Sequence, residues 1–94
     1  MPRLDVYIAE HCFGCEEARR LAAMLDSRFA TLSVRVVDLE REPDERPEML
    51  VAVPSYVLDG RVISLGNPRQ ADLIASLARL LEASMVKEGR DDSP

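Results

Sequence analysis

The hydrophobic period of this chain changes twice between residues 4 and 39, and that change restricts its architecture more than any other feature. Residues 4–9, Leu-Asp-Val-Tyr-Ile-Ala, form a short β-branched and aromatic run with one charge, the pattern of a central strand covered on both faces. Cys15, Ala18, Leu21, Ala22, Leu25 and Phe29 then recur at three- and four-residue intervals, the stripe of a helix buried on one side. Glu16, Glu17, Arg19 and Arg20 fill the opposite side, with Glu16 and Arg20 spaced as an i,i+4 ion pair. Residues 31–39 alternate, with Leu32, Val34 and Val36 sharing a face, and predict a second strand. A helix between two strands implies a parallel pair joined by a right-handed crossover.

The rest of the chain is shorter-range. Residues 40–47 are charged and carry Pro43 and Pro47, either of which suits the first turn of a helix. Residues 44–50 are expected to form a short helix or, equally, an irregular surface loop. Asp59-Gly60 between the β-rich runs 55–58 and 61–65 predicts a two-residue hairpin, because both residues tolerate positive φ. Asn67-Pro68 is expected to cap and open a last helix with Leu73, Ile74, Leu77, Leu80 and Leu81 on one face. Residues 1–86 thus make one domain, and residues 87–94, without a continuing apolar stripe, are expected as a flexible tail.

The two cysteines of the 94-residue chain, Cys12 and Cys15, stand at the first strand-to-helix junction, separated by Phe13-Gly14. Two intervening residues is the spacing of a redox dithiol. A helix start offers orphan N–H donors and a partial positive charge, both of which favour a thiolate at Cys12. His11, if protonated, would tune that thiolate further, although a solvated loop histidine is the plainer reading. Two blander readings of the cysteines also stand. They could be small buried hydrophobes. They could also bind zinc, but zinc needs about four ligands, and two cysteines with one adjacent His would need a second chain to complete the set. No metal and no cofactor beyond the dithiol is therefore expected.

Charge and hydropathy narrow the function classes. A net charge of −5 disfavours a nucleic-acid surface. No apolar run approaches the roughly 20 residues that span a bilayer. The N-terminus shows no export-signal pattern, so no membrane association and a cytoplasmic location are expected. In a reducing compartment a close cysteine pair points to catalysis or metal binding rather than to a structural staple. Nothing in the sequence demands more than a monomer.

With a β-α-β-(α)-β-β-α order, a Cys-x-x-Cys at the first junction and a lone proline ahead of the hairpin, residues 4–85 resemble the thioredoxin superfamily in a near-minimal form. Ala9-Glu10-His11-Cys12-Phe13-Gly14-Cys15 is similar to the Ala-Glu-Trp-Cys-Gly-Pro-Cys of many thioredoxins. The resemblance implies an α/β thioredoxin-like fold with a central mixed four-stranded sheet, order 2-1-3-4, flanked by helices. It implies thiol–disulfide exchange with Cys12 as nucleophile and Cys15 as resolving thiol. Phe13 and Gly14 would rim the site, Pro54 would be a cis-proline facing the dithiol, and Val53 would offer backbone groups to an extended substrate. Implied partners are a disulfide-bearing protein or small thiol and a thioredoxin reductase.

The chain departs from the family at three places. His11 replaces the tryptophan before the first cysteine. Val6 occupies the position of the buried aspartate that serves the resolving thiol, and Asp5, one residue away, falls on the opposite face of its strand. Ala52-Val53-Pro54, Gly66-Asn67-Pro68 and Asp72 match only part of a glutaredoxin's glutathione-holding set. The alternatives are a glutaredoxin-like protein with glutathione as co-substrate, or a non-catalytic module whose dithiol switches an interaction.

Overall fold

The apolar N-terminal run becomes β1 (Arg3–Ile8), and the periodic stripe becomes α1 (Cys15–Arg28). The alternating stretch is β2 (Ser33–Asp38), followed by a single 3-10 turn at Pro43–Glu45. The hairpin is β3 (Ser55–Leu58) and β4 (Arg61–Leu65), and the chain closes with α2 (Gln70–Asp91). The structure is a computed structural model that describes residues 1–9, 12–50 and 52–91, with 84–91 described by backbone alone. His11, expected to tune the dithiol, lies outside the described residues.

The protein is a small α/β fold with one mixed sheet in the order β2-β1-β3-β4, the order the resemblance implies. β1 pairs parallel with β2, Val6 opposite Val36, and antiparallel with β3, Tyr7 opposite Ser55. The hairpin turn forms where Asp59-Gly60 predicts it, with φ of 47° and 85°, the two positive values a tight hairpin requires. The Asp59 carboxylate also accepts the Arg3 N–H at 2.8 Å, fastening the turn to the start of β1.

Both helices cover the same face of the sheet. Leu4, Val6 and Ile8 of β1 and Tyr56 and Leu58 of β3 meet Ala18, Leu21, Ala22 and Leu25 of α1 and Leu73 and Leu77 of α2. The opposite face carries Tyr7, Val37 and Val57, covered by Leu39, Leu50 and Val53 from the connections around it. Helices therefore flank one side only, and β1 is buried on both sides because a loop closes the other. That side holds the buried Asp5, 2% exposed, whose carboxylate accepts from Arg3 Nε at 3.2 Å and Arg35 Nε at 3.0 Å. Two charge-assisted bonds compensate much of the cost of burying that carboxylate.

Of the two forms expected for residues 44–50 the irregular one is found, since two prolines and a run of exposed charges leave only the turn at Pro43–Glu45. Two other local expectations are corrected. Arg20 pairs not with Glu16 but with Glu17, at 2.6 and 2.8 Å, so the i,i+3 neighbour takes the guanidinium. α2 begins at Gln70 rather than at Pro68 and runs to Asp91.

Candidate functional site

The site is built where β1 hands the chain to α1. Cys12 ends the connecting loop, Phe13 and Gly14 turn, and Cys15 is the first residue of the helix. A disulfide joins Cys12 and Cys15, with their Cα atoms 5.4 Å apart. The two sulfurs are not equivalent. Cys15 is 4% exposed and belongs to the helix-side core, whereas Cys12 is half-buried at its edge. Phe13 is wholly exposed beside them.

Gly14 makes this turn possible. It sits at the helix N-cap with φ 92° and ψ −7°, in the left-handed region, and no side chain caps the helix there. Its carbonyl accepts the Ala18 N–H at 3.0 Å and also the Asn67 Nδ2–H at 2.7 Å. A Cβ on Gly14 would meet Asn67 Nδ2 at 3.0 Å, whereas one on Gly60 would meet nothing within 4 Å. Gly14→Ala should therefore destabilise the protein by about 1–2 kcal/mol from backbone strain, with a further loss from displacing Asn67. Gly60→Ala should show the strain alone, and urea midpoints of the two variants measure the difference.

Asn67 was expected to cap α2. Its side chain instead reaches back across the fold, accepting from the Tyr56 hydroxyl at 2.7 Å while donating to Gly14. Tyr56 is completely buried, and that burial pushes its pKa up to about 12, with Glu17 raising it further and Arg20 opposing. Tyr7 is raised in the same direction, chiefly by burial and next by Asp5.

A raised tyrosine pKa means that the fold binds the phenolic proton more tightly than the unfolded chain does. That stability is complete below the unfolded value of 10.0 and is lost as pH climbs through about 12. With the disulfide intact, the unfolding free energy from urea melts should fall from about pH 10, by up to roughly 1.4 kcal/mol per pH unit for Tyr56, with Tyr7 adding in the same direction. Tyr56→Phe should reduce that slope, leaving the share of Tyr7.

Val53 and Pro54 lie at the same end of the sheet. With Tyr7 opposite Ser55, the antiparallel register carries Pro54 and Val53 alongside the exit of β1, from which the cysteine loop departs. The Val53–Pro54 peptide is cis, Pro54 is buried, and its carbonyl accepts the Gly66 N–H at 2.7 Å. Val53 packs against both apolar clusters.

Sequence reasoning missed a polar groove of about 540 Å³ beside the dithiol, lined by Cys12, Cys15, Glu16, Arg19, Asp38 and Arg41. Arg19 approaches Asp38 to 3.7 Å across the end of β2. It also missed the role of Tyr56. Asp72, from the expected glutathione set, is exposed and 3.9 Å from Arg69. Among the described residues, no group of three or more His, Cys, Asp or Glu could hold a metal ion. No helix among them is long and apolar enough to cross a membrane.

No family model matches the chain, and no curated protein matches it. Among solved structures, it is similar to a designed protein characterised by backbone chemical-shift assignments. The identity is 20% and the TM-score 0.61, over 88% of this chain and 75% of that one. At that identity the likeness speaks to the fold alone.

Proposed function

We propose that this protein is a small thioredoxin-like thiol–disulfide oxidoreductase that cycles Cys12 and Cys15 between dithiol and disulfide. The observation that carries the proposal is the unequal burial of the pair, an accessible Cys12 ahead of a helix and a sequestered Cys15 as its first residue. An attacking thiol must reach a substrate, and a resolving thiol must reach only its neighbour.

In the first step the Cys12 thiolate attacks one sulfur of a substrate disulfide, forming a mixed disulfide and expelling the other sulfur as thiolate. That thiolate, or solvent, takes the Cys15 proton. Cys15 then attacks Cys12 Sγ, the second substrate thiolate leaves, and the Cys12–Cys15 bond holds the two electrons' worth of oxidation. Asp5 takes no part as a base, because it points to the other face of β1 and is held by Arg3 and Arg35. Phe13 gives the mouth of the site an apolar rim, and Val53 and Pro54 would border an extended substrate at the sheet end. Proposed partners are a disulfide-bearing protein or small thiol, with a thioredoxin reductase as electron source.

The reading is tested by turnover of insulin-type disulfides with dithiothreitol or a thioredoxin reductase. Catalysed reduction supports it. Activity confined to a glutathione-coupled assay would replace it with a glutaredoxin-like function, and absence of turnover in either would leave a binding or sensing module.

A further inference from the structure

We propose that Asn67 and Tyr56 are positioning residues for the dithiol: their hydrogen-bond chain grips the Gly14 carbonyl and so aims the Cys15 N–H at Cys12, where it stabilises the Cys12 thiolate. The inference rests on the oxidoreductase reading and adds to it two residues outside the cysteine motif.

The chain starts in the core. Tyr56 is completely buried on β3, and its hydroxyl has one direction in which to donate, to Asn67 Oδ1 at 2.7 Å. A side-chain amide that accepts through its oxygen presents its N–H groups elsewhere, so Tyr56 decides which way Asn67 faces. Asn67 Nδ2 then donates to Gly14 O at 2.7 Å, 53 residues away in sequence. The same carbonyl takes the Ala18 N–H at 3.0 Å, so both of its lone pairs are occupied. Glycine favours the approach, because a Cβ there would stand 3.0 Å from the Asn67 nitrogen and press it away by a few tenths of an ångström.

What the grip fixes is a peptide plane. The Gly14 carbonyl and the Cys15 N–H belong to one planar trans unit and point in opposite directions. With the carbonyl turned along α1 and towards Asn67, the N–H is turned out of the helix towards Cys12, whose carbonyl it meets at 3.3 Å. Cys15 N–H is one of the donors left without a partner inside the helix. In the disulfide form it is spent on the Cys12 carbonyl, and on reduction the proposed stabilisation has the thiolate of the same residue share it. A donor held in advance stabilises that charge more than one free to swing away. The charged groups that share the groove with Cys12, namely Glu16, Arg19, Asp38 and Arg41, are not part of the chain. Substituting Tyr56 or Asn67 leaves them in place.

The test uses the full chain in reduced form as wild type, Asn67→Ala, Tyr56→Phe and the double variant. Asn67 is exposed and Tyr56→Phe removes one hydroxyl, so neither change opens the core. Cys12 alkylation by iodoacetamide is followed against pH, with mass spectrometry assigning the site. Asn67→Ala should raise the midpoint by about one unit, a roughly tenfold loss in the acid dissociation constant. Tyr56→Phe should move it the same way by less. The double variant should go no further than Asn67→Ala, since both residues act on one carbonyl. Midpoints within about twofold of wild type in dissociation constant, or additive shifts in the double variant, would overturn the proposal. Failure of the oxidoreductase reading looks different: alkylation would proceed as described, but the dithiol would not turn over disulfides.

Discussion

Cys12→Ser should abolish disulfide turnover, lowering it by at least about a thousandfold to the level of the uncatalysed reaction. The nucleophile in thiol–disulfide exchange is the thiolate, and a serine hydroxyl is not ionised near neutral pH without a strong neighbouring base. None of the described side chains about Cys12 supplies one: its groove holds Glu16 and Asp38, and Asp38 is partnered by Arg19. The fold should be indifferent, because Cys12 is only half-buried at the core margin. Cys15→Ala should behave otherwise. The first step survives, the second cannot occur, and the protein should accumulate as a mixed disulfide through Cys12. Intact mass spectrometry after incubation with a small disulfide reads both outcomes. A Cys12→Ser protein that still turns over, or a Cys15→Ala protein that traps nothing, would contradict the assigned roles.

The largest effect on stability is expected at Leu21. It is fully buried in the cluster that α1, α2 and one face of the sheet build together, the larger of the two apolar clusters among the described residues. Leu21→Ala should cost about 2–5 kcal/mol, the transfer free energy of the lost methyl groups plus the cavity left behind. Domains of this size are stable by only about 5–15 kcal/mol, so the variant should sit close to unfolding. Its Tm should fall by roughly 10 °C or more. Met49→Ala, at a half-exposed position, should stay within about 0.5 kcal/mol of wild type. Thermal melts of the two variants check the contrast, and equal losses would place the core elsewhere.

Much of this fold was legible in the sequence, because its signals are periodic and local. Cys15, Ala18, Leu21, Ala22 and Leu25 are all buried on one side of α1, as their spacing requires. Asp59-Gly60 turns the chain at the predicted residues, and β1 and β2 pair in parallel as a β-α-β unit requires; that the hairpin joins β1 rather than β2 comes from the family resemblance and not from any local signal. Residues 44–50 were less legible, since proline tolerates a first helical turn and an irregular loop alike. The distribution of helices was also hidden: no local pattern says that Leu39, Leu50 and Val53, rather than a helix, cover Tyr7, Val37 and Val57.

At the candidate site, the cysteine pair was plain from spacing and its placement from the period change. The polar surroundings were not. Asn67 precedes a proline and reads locally as a helix cap, yet its partners are Tyr56, 11 residues earlier, and Gly14, 53 residues earlier. Such pairings are tertiary, and nothing in either local sequence announces them. Arg19, Asp38 and Arg41 likewise converge only because α1 and the end of β2 lie side by side.

The most direct measurement is equilibration of the full chain in dithiothreitol or glutathione redox buffers, with the thiol state read by mass after alkylation. A reversible two-electron transition is expected, with loss of two hydrogens confined to Cys12 and Cys15. Its midpoint should fall in the range of thioredoxin-like dithiols, between about −120 and −270 mV. A protein that keeps both hydrogens under mild oxidation, or whose disulfide forms but cannot be reduced again by these buffers, would contradict the redox function proposed for Cys12-Phe13-Gly14-Cys15.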